Sequence, residues 1–234
     1  MIIIFMEPGS ENIVYYNAIA NEYNDMLDKS PDRITREKVA NTFCSIVKEA
    51  AVLDFGGGTG LDLVWLAGNN HTIYFCEPSI GMRETAICNH KNLLHDKVIF
   101  LDDSAADFRQ WHLQLPFTVK VDAVLSNFAV FNCIPDIDLL FQNLAMVVKP
   151  GGIVIALVLT RNLKKILNGN FRNILKSFVH NGPATIKVQY KKHHQTVYVY
   201  SIKEIIKASK KHFNFCSSQV WPASGFTLIH LQRK

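Results

Sequence analysis

The chain has 234 residues, of which 48% are hydrophobic and 19% charged, with a formal net charge of +5. This balance excludes a disordered chain and suits one α/β domain. No apolar run approaches the ~20 residues of a membrane-spanning helix, and residues 1–6 are too short and lack the basic flank of a signal peptide, so the expected location is the cytoplasm, with no membrane partner.

Apolar and aromatic residues at Ile13, Tyr16, Ile19, Ala20, Tyr23 and Leu27 have helical spacing and predict a helix over 12–27. Pro31 opens a second, over 35–47. A strand over 50–55 runs into a glycine turn, and a helix over 61–66 follows. The next strand, 72–76, ends in Glu77 and leads to a helix over 79–89. A third strand, 97–101, ends in Asp102-Asp103-Ser104. The fourth, 121–126, precedes a helix that Pro135-Asp136 opens and that runs to 148. Lys149-Pro150-Gly151-Gly152 reads as a tight turn, and the fifth strand as 153–159.

These strands are continuous apolar runs, as a parallel sheet covered on both faces requires. Their alternation with helices predicts a doubly wound, mostly parallel, seven-stranded α/β sheet with helices on both faces. Such sheets bind ligands at the carboxyl ends of their strands, where Asp54, Glu77, Asp103 and Asn127 all fall. The tail differs. Segments 185–190 and 196–200 alternate like a two-stranded ribbon around 191–194, Ser201 caps a helix reaching 212, and 213–221 with 226–231 form a closing hairpin. The expected organisation is a single domain over 1–234. It comprises a helical cover (11–48), a core (49–160), a lid inserted after strand five (161–200), and the closing helix and hairpin (201–234).

The run Val52-Leu53-Asp54-Phe55-Gly56-Gly57-Gly58-Thr59-Gly60 carries most information about function. Glycines remove Cβ atoms where a backbone turns sharply against a ligand. A carboxylate at the strand tip would repel phosphate, yet it accepts hydrogen bonds from a cationic amino group. The loop therefore suits a nucleoside with an amino-acid tail, which describes S-adenosylmethionine. Two rivals are a ligand-free turn and a dinucleotide site, whose G-x-G-x-x-G spacing differs from the G-G-G-x-G found here.

With these residues the chain resembles a class I S-adenosylmethionine-dependent methyltransferase of the small-molecule type, with a Rossmann-like fold. Leu53-Asp54-Phe55-Gly56-Gly57-Gly58-Thr59-Gly60 is similar to the family's first motif. Cys76-Glu77-Pro78-Ser79-Ile80-Gly81-Met82 matches its acid after strand two. Asp122-Ala123-Val124-Leu125-Ser126-Asn127-Phe128 resembles its fourth motif, and Lys149-Pro150-Gly151-Gly152 the turn before its fifth strand. The stretch from Tyr15 to Asn24, containing Tyr23, looks like the helix that covers the cofactor. The resemblance implies that Gly56, Gly58 and Gly60 approach the methionine moiety and that Asp54, ionised, holds its ammonium. It implies that Glu77 accepts the ribose hydroxyls, that Met82 walls the adenine, and that Tyr23, Asn127 and Phe128 complete the site. The third motif has two registers, with either Asp103 or Ser104 against the adenine amino group. Ser126-Asn127-Phe128-Ala129 departs from the Asn-Pro-Pro-Tyr type of amino-methylating nucleic-acid enzymes, and the Pro-Cys pair of pyrimidine carbon methylation is missing.

The acceptor is less legible. From 139 to 203 there are ten basic residues and no acid, which leaves 15 basic and 20 acidic residues elsewhere. This excess suits an anionic substrate, a nucleic-acid surface or a solvated Lys-rich face. With Tyr190, Tyr198 and Tyr200 in the lid, the expected acceptor is a small molecule, aromatic or anionic. An RNA or protein acceptor is the alternative within enzymes, and a non-catalytic binding subunit the alternative outside them. Base candidates are His112, His180, His193, His194 and Tyr16, and no spacing selects one, so the catalytic residue is unassigned. The five cysteines, Cys44, Cys76, Cys88, Cys133 and Cys216, lack a C-x-x-C pair and read as buried free thiols. The nine histidines lack ligand spacing, and no metal is expected.

Overall fold

The computed structural model describes residues 9–27, 30–91, 97–161, 183–221 and 224–234. Part of the expected lid, with His180 in it, lies outside the described residues, as does the segment 1–6.

The first half alternates strand and helix as its apolar runs require. Helices α1 (Ser10–Ile19), α2 (Tyr23–Leu27) and α3 (Ser30–Ile46) precede β1 (Ala51–Phe55). Then come α4 (Leu63–Gly68), β2 (Thr72–Cys76), α5 (Ile80–Asn89), β3 (Val98–Phe100), α6 (Asp103–Ala106), β4 (Val121–Ser126), α7 (Ile137–Val147) and β5 (Val148–Leu159). Strands β6 (Ala184–Tyr190) and β7 (His193–Val199), helix α8 (Ile202–Ser209), and strands β8 (Phe213–Trp221) and β9 (Phe226–Arg233) complete the chain.

Seven strands form one sheet in the order β3-β2-β1-β4-β5-β9-β8. Strands β1 to β5 pair in parallel, and β9 runs antiparallel to both β5 and β8. The chain fills one side of β1 with β2 and β3, then crosses to β4, so the switch point lies between β1 and β4. Helices cover both faces. Leu53, Val124 and Val154 pack with α7 residues Phe141 and Leu144, whereas Val52, Ala123 and Ile155 pack with Phe43, Leu63 and Leu66 from α3 and α4. This is the Rossmann-like methyltransferase arrangement expected from the sequence. β6 and β7 form a separate antiparallel pair.

Local differences have physical causes. The expected helix over 12–27 is broken by a 3-10 turn at Ala20–Glu22. Asn17 Oδ1 pins the preceding helix to the start of α5, accepting from Ser79 Oγ at 2.8 Å and from the Gly81 amide at 2.9 Å. Helix α4 starts at Leu63 rather than at 61 because Gly60, at φ +81°, prolongs the turn. The expected tight turn at 149–152 is a bulge inside β5: Val148 pairs with Val121 and Ile153 with Ala123, and the surplus residues loop out at Gly151, φ +79°. The ribbon turn contains only Lys191 and Lys192, since His193 and His194 pair with Tyr190 and Gln189. Of the five cysteines, Cys88 in the last turn of α5 and Cys216 on the outermost strand are exposed, which corrects the expectation of uniformly buried thiols.

The N-terminal helices are stitched to the rest of the chain by polar side chains. Asn12 donates to the Cys133 carbonyl at 3.0 Å and to the Thr196 carbonyl at 2.9 Å, and its Oδ1 accepts from the Thr196 amide at 2.8 Å. Tyr190 and Lys191 both bond Glu22. β7 therefore lies along α1.

Candidate active site

The loop after β1 is held against β2 by its own amides. Those of Gly56 and Gly57 both donate to the Cys76 carbonyl, at 2.8 and 3.2 Å. A Cβ on Gly56, at φ +75°, would stand 2.4 Å from Val130 Cγ1, and one on Gly57 2.2 Å from Phe75 Cε2. Only glycine fits either position.

Glu77, at the tip of β2, ties the two loops together. Its Oε2 accepts from the Gly58 amide at 2.9 Å and its Oε1 from the Ser79 amide at 2.8 Å. Burial pushes this carboxyl up to about 7, against the pull of the two amides and Arg83. Asp54 lies beneath the loop, 1% exposed, and its Oδ2 has no hydrogen-bond partner. Burial, with Asp62 and Glu77 nearby, pushes its carboxyl well above the usual range, and Arg36 acts in opposition.

Asp62 organises the loop's far side. It pairs with Arg36 of α3 at 2.6 Å, accepts from Trp65 Nε1 at 2.8 Å and from Asn127 Nδ2 at 3.1 Å. Beyond Asn127, Phe128 and Ala129 have φ of 49° and 64°, a left-handed conformation unfavourable for residues with side chains. Several contacts hold them there. The Phe128 amide donates to Asn127 Oδ1 at 3.0 Å, the Ala129 amide to the Leu157 carbonyl at 2.8 Å, and Arg36 sits 4.5 Å from the centre of the Phe128 ring.

A cavity of about 170 Å³ opens at the carboxyl ends of β1, β2 and β4. Of the residues expected from sequence, Tyr23, Gly56, Gly58, Glu77, Met82, Asn127 and Phe128 line it. Asp54 lies below the loop, and Gly60 packs toward His90 and Leu63. Asp103 and Ser104 point elsewhere in both registers. Asp102 caps α6 by accepting from the Ala105 amide at 2.8 Å, and this turns Asp103 outward, its side chain 68% exposed, to pair with the largely buried Arg83. Ala106, Asp107, Phe108 and Arg109 form that wall instead. Asp107 and Arg109 pair at 2.7 Å, and the Phe108 ring meets Phe55 edge-on at 5.7 Å. Sequence reasoning missed this wall. Its signal was the Asp102 cap, which fixes the direction of the next turn.

Of the base candidates that are described, only Tyr16 lines the cavity, its hydroxyl 3.7 Å from Cys133 Sγ. Burial pushes Tyr16 well up and Cys133 to about 11, so both keep their protons near neutrality. His112 is exposed, and His193 and His194 sit on β7. Tyr190 and Tyr200 are engaged, with Glu22 and with the Ile134 and Pro135 carbonyls respectively. Among the described residues no group of three or more His, Cys, Asp or Glu could hold a metal ion, and no helix is long and apolar enough to cross a membrane.

This fold and loop geometry define a methyltransferase domain. Residues 22–217 match the family described as methyltransferase domain, and the chain belongs to that family. No curated protein sequence matches it. Among solved structures, the chain is similar to DhpI in a complex named DhpI-SAM-HEP, with a TM-score of 0.71 and 17% identity over 98% of this chain and 100% of that one. It is also similar to the Burkholderia thailandensis 1,6-didemethyltoxoflavin-N1-methyltransferase with 1,6-didemethyltoxoflavin and S-adenosylhomocysteine. That match has a TM-score of 0.68 and 14% identity, covering 100% and 93%. The N-methyltransferase NodS from Bradyrhizobium japonicum WM9, with S-adenosylhomocysteine, matches at 0.63 and 11% identity, covering 97% and 99%.

Proposed function

We propose that this methyltransferase uses S-adenosylmethionine, held in the cavity between β1, β2 and β4, and that its acceptor is a small molecule. The observation that carries the reading is the pairing of an unpartnered buried Asp54 oxygen with a glycine loop where a Cβ has no room. A ligand ammonium satisfies that oxygen, and a nucleoside part lies against the loop. Glu77 has acceptor capacity left for ribose hydroxyls, and Met82 with Phe108 offers apolar surface to a base. S-adenosylmethionine supplies a methyl group on a positively charged sulfur. Tyr16 and Tyr23, kept protonated by burial, orient ligands by donation. The toxoflavin enzyme among the structural neighbours supports a small acceptor. An RNA acceptor is a second reading, supported by nine cations against one acid from 183 to 234.

Calorimetry with S-adenosylmethionine and S-adenosylhomocysteine in chelator tests the cofactor, and tight NADH binding with no response to either would overturn it. Cofactor-dependent methylation in a metabolite extract, read by mass spectrometry, tests the acceptor. Neutralising Lys191 and Lys192 should raise the KM of a small anionic acceptor and leave cofactor affinity unchanged. Salt-dependent loss of affinity for unrelated RNAs in that variant would favour the RNA reading.

A further inference from the structure

The helical layers end at β9. Its Leu228 packs on one face of the sheet, and Ile229 and Leu231 on the other. β8 projects beyond them. Helix α8 covers only its first residue, Phe213, while residues 214–220 are exposed along both faces and the outer edge. Val220 is 49% exposed and Phe215 36%. From 213 to 232 there is no Asp, Glu, Lys or Arg, and no proline falls within β8. Edge strands are ordinarily blunted by charge or proline, because free amides and carbonyls template strand pairing. The bulge at Cys216 leaves 217–221 as a regular ladder against β9.

We propose that β8 pairs antiparallel with β8 of a second copy of this chain, joining two sheets across a two-fold axis near Gln219. Charge selects this occupant and this direction. Lys211 and His212 directly precede β8, and Arg233 and Lys234 both bond the His212 carbonyl, at 2.7 and 3.1 Å. Cations therefore crowd one end of the strand. Antiparallel pairing sets the two clusters at opposite ends, about 46 Å apart at ~3.3 Å per residue, while the uncharged middle pairs with itself. A polyanion would settle on the cluster and leave the strand bare. An isologous two-fold also closes and leaves no second edge of this kind exposed. With the axis at Gln219, Ser217 faces Trp221 of the second copy, and Ser218 faces its Val220.

Light scattering over a dilution series is the test. The wild-type chain should show twice its 26.5 kDa mass at high concentration. Gln219→Lys, which sets two like charges on the axis, should return it to monomer mass with an unchanged circular dichroism spectrum and melting temperature. In a Cys88→Ser/Cys216→Ser background, Gln219→Cys should form a disulfide-linked dimer under mild oxidation. Three results would overturn the proposal: monomer mass throughout, a dimer that survives Gln219→Lys, or no cross-link from Gln219→Cys. An acidic extended peptide that binds β8 of a monomeric chain would do the same.

Discussion

Lowering the pH from 8 to 6 should weaken S-adenosylhomocysteine binding about tenfold through Glu77 alone. Burial pushes its carboxyl up to about 7, so it is roughly nine-tenths ionised at pH 8 and one-tenth at pH 6. Ribose hydroxyls donate to the ionised form, so binding selects it and expels the proton. The ratio of the two fractions is about ten, or ~1.4 kcal/mol. Asp54 adds to this in the same direction, because its raised carboxyl must also ionise to meet an ammonium. Calorimetry in buffers of differing protonation enthalpy counts the protons released, expected to lie between zero and two and to rise as the pH falls. Glu77→Gln should remove its share of the pH dependence and weaken binding. Equal affinity at both pH values, with enthalpy independent of buffer, would refute the reasoning, since it would mean that these carboxyls do not meet the ligand.

Three further outcomes follow from the same geometry. Asp54 has a raised carboxyl, so its contribution to stability is present at low pH and lost as pH rises through the folded value; Asp54→Asn should raise the melting temperature of the empty protein at pH 8, less at pH 5, while S-adenosylhomocysteine affinity falls more than tenfold. Gly56→Ala meets both the positive φ and Val130, and should cost about 2 kcal/mol in urea unfolding and abolish cofactor binding in calorimetry. His71 accepts from the Ala50 amide at 3.1 Å, leaves Nε2 unpartnered, and is held below its ordinary value by burial; its contribution is present above pH ~6.5 and lost as pH falls, so the stability gap between wild type and His71→Leu should narrow between pH 7.5 and 5.5.

The doubly wound order was legible because its signal is local. β2 and β4 are short, mostly apolar runs, and the structure gives them the bounds expected. Glu77 and Asn127 were legible because the fold puts strand tips at the ligand. Errors arose where a short-range bond decides direction. The Asp102 cap turns Asp103 outward, and the looped-out residues of β5 depend on pairing with β4, which no reading of Lys149-Pro150-Gly151-Gly152 alone contains.

Asp62 shows the harder case. In sequence it is an acid within the helix expected over 61–66, with nothing nearby to mark it. In the structure it is buried and caps nothing, because its oxygens are taken by Arg36, Trp65 and Asn127, from α3, α4 and the tip of β4. Each partner is ordinary where it stands, and their meaning comes from convergence. A buried carboxylate needs a cation and several donors, and supplying them from three elements joins α3 to the loop and to the strained Phe128–Ala129 turn. The same guanidinium lies over the Phe128 ring and draws the Asp54 carboxyl downward. Arg36 thus links α3 both to the acid beneath the glycine loop and to the wall opposite it.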